Sequence, residues 1–231
     1  MNLLEKRFIV TGGSCGIGLA IARSLVQHGA KVAITARGRD RLKKRADEIG
    51  ALPISADAGS EEDCKRSVAE TVEALGGLDG LINNAGIGSF GPVAQLDTEA
   101  FRRVFEVNVL GAALMARECI PHLKRSGGGD IVNISSTSGL KGGANGTIYS
   151  SSKFALKAMT QCWQAELRPD NIRVMLVNPS EVQTEFGGRD PDAVVDNKLF
   201  SEDIAHAVTS TLTMNRRGFV PELSVFATNP W

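Results

Sequence analysis

Short apolar runs alternate with amphipathic stretches along nearly the whole chain. The first run, Phe8-Ile9-Val10, stops at Gly12-Gly13-Ser14-Cys15-Gly16-Ile17-Gly18, and Ile17, Ala20, Ile21, Ser24 and Leu25 then recur at helical spacing. Further strands are predicted at Lys31–Thr35, Leu52–Ser55, Leu78–Ile82, Asp130–Ile134 and Ile172–Val177, with a last one among Val220, Leu223, Val225 and Phe226. Between them the periodicity turns helical. Ser60-Glu61-Glu62-Asp63 opens one helix, which ends near Gly76-Gly77. A long helix from about Asp97 buries Phe101, Val104, Phe105, Val109 and Ala112. Another starts near Tyr149, and one capped by Ser201 turns Ile204, Ala205, Val208 and Leu212 inward. Regular strand–helix alternation predicts an α/β fold with a doubly wound parallel sheet and helices on both faces. No linker or repeat interrupts it, so residues 1–231 read as one domain.

Composition narrows the function. Lys plus Arg equals Asp plus Glu at 26 each, which leaves no basic field for nucleic acid. Cys15, Cys64, Cys119 and Cys162 are widely spaced, with no CxxC and no paired histidines, and read as reduced thiols without a metal. No apolar run is long enough to span a bilayer and the first residues carry no signal-peptide core, so the expectation is a soluble, cytosolic protein with no membrane partner.

A strand, a glycine-rich turn and a helix N-terminus together form an anion cradle, because backbone N–H groups point outward and missing side chains let a pyrophosphate approach. Gly12, Gly16 and Gly18 have the spacing Gly-x-x-x-Gly-x-Gly, one residue longer than the usual dinucleotide fingerprint. The chain is therefore expected to be Rossmann-type. Past the second strand stands Arg37, where an acid would signal NAD and an arginine accommodates a 2′-phosphate. NADP is thus favoured over NAD, with Asp40 assigned to capping the next helix. The fourth strand breaks into Asn83-Asn84-Ala85-Gly86, whose amides can tie neighbouring backbone together. Asn108 lies on or beside a buried stripe, where it either braces helix backbone or holds an ordered water. Tyr149 and Lys153, at i and i+4, share a helix face, and an ammonium beside a phenol is expected to draw its pKa down from about 10 toward use as a general acid.

These elements together resemble the short-chain dehydrogenase/reductase family in its compact form. The likeness runs through Thr11-Gly12-x-x-x-Gly16-x-Gly18, Asp57, Asn83-Asn84-Ala85-Gly86, Asn108, Ser136, Tyr149-x-x-x-Lys153 and the segment from Pro179 to Thr184, covering nearly the whole chain. It implies hydride transfer between a nicotinamide cofactor and a carbonyl or alcohol. Tyr149 would be the acid/base, Lys153 would lower its pKa and hold the nicotinamide ribose, Ser136 would orient the substrate oxygen, and Asn108 would hold a water relaying protons to Lys153. The implied cofactor set, beside Arg37, is Gly12, Ser14, Cys15, Gly16, Ile17, Gly18, Asp57, Ala58, Asn84, Ala85, Gly86, Tyr149, Lys153, Pro179, Val182 and Thr184, with Gly12, Gly16 and Gly18 around the pyrophosphate, Asp57 at the adenine, the Asn84 to Gly86 backbone along the cofactor, and Val182 and Thr184 at the nicotinamide carboxamide. Ser180 stands where the family usually has glycine, and a short polar substrate lid is expected at about 185–200, including Arg189. The family also implies a homo-oligomer, dimer or tetramer, through helices at 97–126 and 149–168. Trp163 is either a contact there or a core residue, and Trp231 either packs on a neighbouring subunit or covers its own core.

The expected activity is NADP(H)-dependent reduction of a carbonyl compound. Its rivals are a 3-oxoacyl-thioester reductase docking acyl carrier protein through Arg102, Arg103, Lys124 and Arg125, an NAD-dependent alcohol, polyol or steroid dehydrogenase, and a non-catalytic dinucleotide-binding regulator.

Overall fold

The computed structural model describes residues 2–188 and 197–228. Seven strands form one sheet: β1 (Arg7–Thr11), β2 (Lys31–Ala36), β3 (Leu52–Ser55), β4 (Gly80–Asn83), β5 (Gly129–Ile134), β6 (Ile172–Pro179) and β7 (Glu222–Val225). Their order is β3-β2-β1-β4-β5-β6-β7, and every pairing is parallel. The chain winds outward from β1 to β3, then crosses back to place β4 on the other side of β1. That reversal opens a crevice at the C-terminal ends of β1 and β4, where open α/β sheets bind ligands.

Both faces are covered, which is why the central strands are apolar at successive positions. In β1, Phe8 and Val10 join one core cluster with Ile21 and Leu25 of α1 (Gly16–Gln27), Leu42 of α2 (Arg39–Ile49) and Ile204 and Val208 of α7 (Ser201–Leu212). Ile9 points the other way, toward Cys64 and Val68 of α3 (Glu61–Leu75) and Leu114, Cys119 and Leu123 of α5 (Ala112–Arg125). Buried Asp130 on β5 pairs with buried Arg173 on β6 at 2.6 Å. Arg173 also donates to the Leu212 carbonyl at 3.1 Å, tying the C-terminal end of α7 to the sheet.

The long helix is not regular. α4 (Thr98–Phe105), capped by the Asp97 carboxylate, leads into a π-helical turn at Glu106–Gly111 before α5. The wide turn shifts the buried stripe: Val104, Val107, Asn108, Gly111 and Ala112 are inside, whereas the expected Phe101, Phe105 and Val109 are only half-buried. Two caps also differ from expectation. Gly38 precedes α2 and Asp40 lies in its first turn, where a carboxylate favours the helix dipole without capping. Ser201 is the first residue of α7, and the Asp203 carboxylate accepts the Phe200 N–H at 2.8 Å. Ser60 does cap α3, accepting from the Asp63 N–H at 3.3 Å. Trp163 is half-buried against the second core cluster. Arg189 and the rest of 189–196, the middle of the expected lid, together with Trp231, lie outside the described residues.

Candidate active site

The crevice is built around Thr11, the last residue of β1. Its hydroxyl donates to the Ile82 carbonyl at 3.4 Å and accepts from the Asn84 and Ala85 N–H groups at 3.0 and 2.9 Å. The Asn84 amide returns bonds of 2.9 and 3.3 Å to the Thr11 and Gly12 carbonyls. The end of β4 is thereby pinned to the glycine turn, leaving no room for side chains. A Cβ on Gly18 would lie 2.4 Å from both the Gly12 oxygen and Asn84 Nδ2. Gly12 and Gly16 take φ of +66° and +52°, which other L residues rarely adopt. Thr184, from the segment after β6, reaches across to Gly16: its Cγ2 would be 3.2 Å from a Cβ placed there. Ser14, Cys15 and Ile17 complete this half-buried turn at the N-terminus of α1. The cradle is preformed and fits a pyrophosphate.

Tyr149 and Lys153 lie in the first turns of α6 (Thr147–Leu167), both buried, at 9% and 4% exposure. Ser136, at the end of β5, hydrogen-bonds the Tyr149 phenol and accepts the Ser138 N–H at 3.1 Å. Lys153 Nζ sits 5.7 Å from the Tyr149 ring centroid and donates to the Ile134 carbonyl at 2.9 Å. Asn108 projects from the π-helical turn. Its Oδ1 accepts the Ile87 N–H at 2.9 Å, and its Nδ2 donates to the Ile87 carbonyl at 2.9 Å and to Ser152 Oγ at 3.0 Å. The amide thus braces backbone of the loop after β4 rather than of a helix. Gly86 brings these groups together: a Cβ there would stand 3.4 Å from Asn108 Oδ1 and 3.5 Å from Lys153 Nζ.

The electrostatics correct one expectation. Burial pushes the Tyr149 phenol above its ordinary value, and the Ser136 hydrogen bond offsets only part of that rise. Lys153 does not draw the phenol down, because burial lowers its own pKa to about 8 and its ammonium is bonded to a carbonyl rather than to the phenol.

At the far end of the crevice Arg37 is exposed, and among the described residues no side chain pairs with its guanidinium. Asp57 is half-buried, but both carboxylate oxygens receive Arg103 of α4, at 2.8 and 2.6 Å. Ala58 rests on the π-helical turn, where a Cβ on Gly111 would lie 2.0 Å from the Ala58 oxygen. The sequence of residues 6–193 matches the short chain dehydrogenase family. The chain belongs to the short-chain dehydrogenases.

As a short-chain dehydrogenase it is 32% identical over 231 residues to an uncharacterised oxidoreductase of Staphylococcus saprophyticus, covering 97% of this chain and 98% of that protein. An alcohol dehydrogenase of the archaeon Thermococcus sibiricus, solved with 5-hydroxy-NADP, superimposes with a TM-score of 0.91 at 31% identity, over 96% of this chain and 97% of that one. A 3-ketoacyl-(acyl-carrier-protein) reductase of Brucella melitensis, solved with NADH, gives 0.91 at 29% identity over 99% and 100%.

Within this short-chain dehydrogenase the expected residues divide by place. Asn108 and Lys153 meet at Gly86, with Tyr149 beside Lys153 and Ser136 on Tyr149, whereas Asp57 and Arg37 stand apart at the other end. Pro179 ends β6 and Val182 is buried beyond it. Ser180 donates its N–H to the Val225 carbonyl at 2.8 Å. Among the described residues positive φ outside glycine is confined to Glu5, Asn145 and Asn171, so the Ser180 backbone does not require glycine. Sequence reasoning missed three groups. Ser152 anchors Asn108, and its signal was only its place within Tyr149-x-x-x-Lys153. Arg103 occupies Asp57 across 46 residues. Arg41 of α2 pairs with Glu185 through bonds of 2.7 and 2.5 Å, linking the rim of the crevice to the segment after β6.

Proposed function

We propose that this chain is an NADP(H)-dependent oxidoreductase that reversibly reduces a carbonyl compound to a secondary alcohol. The observation that carries the reading is the buried chain of Ser136 on Tyr149 and Tyr149 beside Lys153, whose ammonium reaches Gly86 after the end of β4, close to a preformed glycine cradle. A bound nicotinamide dinucleotide, as in the Thermococcus and Brucella relatives, supplies the hydride, so the protein manages the oxygen and its proton. Ser136 orients the substrate oxygen and Tyr149 gives it a proton, or takes one in the oxidative direction. Lys153, charged near neutral pH, would hold the ribose of such a cofactor and favour the phenolate left on Tyr149. Asn108 holds the Ile87 loop against this centre. Arg37 supports NADP, because among the described residues no acid is bonded to its guanidinium and a 2′-phosphate would meet an exposed cation. Exposed Leu110 and Phe154 support homo-oligomer formation through the long helix and α6.

Parallel titrations with NADPH and NADH, with Arg37→Asp alongside, test the cofactor. Preference for NADPH that disappears in the variant supports the reading, and equal or tighter NADH binding overturns it. Tyr149→Phe should bind NADPH normally and lose turnover. Likeness to the Brucella enzyme favours a second reading as a 3-oxoacyl-thioester reductase. Against it, Lys124 is paired with Asp170 at 2.7 Å, Arg102 with Glu99 at 2.5 Å, and Arg103 with Asp57. Cations already held by acids are weaker docking points for an acidic carrier protein.

A further inference from the structure

Two phenyl rings stand over Tyr149. Phe90, in the loop after β4, has its centroid 5.2 Å from that of Tyr149 with planes tilted by 50°. Phe186, after β6, lies at 5.4 Å and 52°. Gly88 lets both approach, since a Cβ there would be 2.8 Å from Phe90 Cε2 and 2.9 Å from Phe186 Cζ. Neither ring hangs on a loose tether: the Gly91 N–H donates to the Asn145 carbonyl at 2.9 Å, and the Phe186 N–H to Thr184 Oγ1 at 3.2 Å. Tyr149 is buried beneath them, yet Phe90 remains 57% exposed. Among the described residues the one cation set over any of these rings is Lys153, on Tyr149.

We propose that Phe90 and Phe186 form a substrate clamp that selects carbonyl compounds carrying a flat aromatic ring beside the reacting carbon. The proposal rests on the carbonyl-reductase reading above. A substrate oxygen reaching Tyr149 and Ser136 must pass beside both rings, so the group attached to its carbon lies against them. Tilted rings offer a face and an edge, which a flat aromatic group matches through stacked and edge-to-face contacts that a saturated ring of similar bulk lacks. The exposed face of Phe90 is then covered by substrate.

The test compares phenyl methyl ketone with cyclohexyl methyl ketone, following NADPH oxidation by the wild type, Phe90→Ala, Phe186→Ala and Phe90→Tyr. The wild type should prefer the phenyl ketone about tenfold in kcat/KM, chiefly through KM. The two alanine variants should bring that ratio close to one, and Phe90→Tyr should preserve it. NADPH binding by each variant checks that the fold is intact. Binding of 1-phenylethanol against 1-cyclohexylethanol, measured by calorimetry, runs alongside. Should neither ketone be reduced while a phenyl preference in binding is present and lost in the alanine variants, the clamp stands and the choice of reaction falls. A wild type that does not separate the two rings in either assay, or alanine variants that weaken both ligands equally, overturns the clamp.

Discussion

Replacing Lys153 with methionine should make the cofactor-free protein more stable near neutral pH while abolishing turnover. Lys153 is a buried cation facing a carbonyl oxygen, and among the described residues no acid pairs with it. Its pKa falls from the ordinary 10.5 to about 8, and with each tenfold worth about 1.4 kcal/mol, holding the charge inside costs roughly 3 kcal/mol. Methionine keeps the length of the chain and removes the charge. It also gives up the hydrogen bond to Ile134, worth about 1 kcal/mol. The net gain is about 2 kcal/mol, or roughly 1 M in urea midpoint for a domain of this size. The sign depends on pH in a defined way. Below about pH 8 the lysine is charged both folded and unfolded, and the penalty is complete. Between that value and 10.5 the unfolded chain holds a proton that the folded chain has released, so the stability of the wild type rises with pH. Above both values the penalty is gone. Urea unfolding of both proteins at about pH 7 and about pH 9.5 should therefore show the gap nearly closing. A methionine variant no more stable than the wild type near neutrality, or a gap constant with pH, would refute the reasoning.

Tyr149 is the single tyrosine of the chain, so phenolate absorbance reports on it alone. In the cofactor-free protein its midpoint should lie above that of free tyrosine, since burial raises it, and a midpoint at or below the free value contradicts the site's electrostatics. Asp130→Asn should destabilise the protein by about 3–5 kcal/mol, because it strands the buried Arg173 guanidinium; chemical denaturation measures this, and a loss within experimental error counts against that pair. Gly18→Ala should cost about 1–3 kcal/mol and weaken NADPH binding, because the new methyl group meets Gly12 and Asn84. Thermal melting with NADPH titration checks both, and unchanged values in both would exclude the close approach.

What the sequence revealed was mostly local. Alternating periodicity revealed the strands and helices, the glycines marked the cradle, and the spacing of Tyr149 and Lys153 put them on one helix face. What it hid depended on contacts between distant segments. Nothing near Asp57 announces Arg103, and nothing near Tyr149 announces that Phe186 will stand over it. The reversed sign of the Tyr149 shift has the same origin: adjacency on a helix suggests charge stabilisation, but burial, a property of the whole fold, outweighs it. The π-helical turn escaped because a regular helix accounts for the Phe101 to Ala112 pattern almost as well, and only the inward turn of Val107 and Asn108 tells them apart.

That turn has a metrical consequence. Asn108, which holds the loop beside Lys153, and Gly111, on which Ala58 rests, belong to the same six-residue segment, Glu106–Gly111. The span between the two ends of the crevice is therefore gauged by covalent backbone within one helix rather than by side chains that can yield. Removing one residue to restore regular winding would rotate one anchor against the other by about 100° and shorten the segment by about 1.5 Å. The crevice would lose its calibration without losing a single residue that touches a ligand.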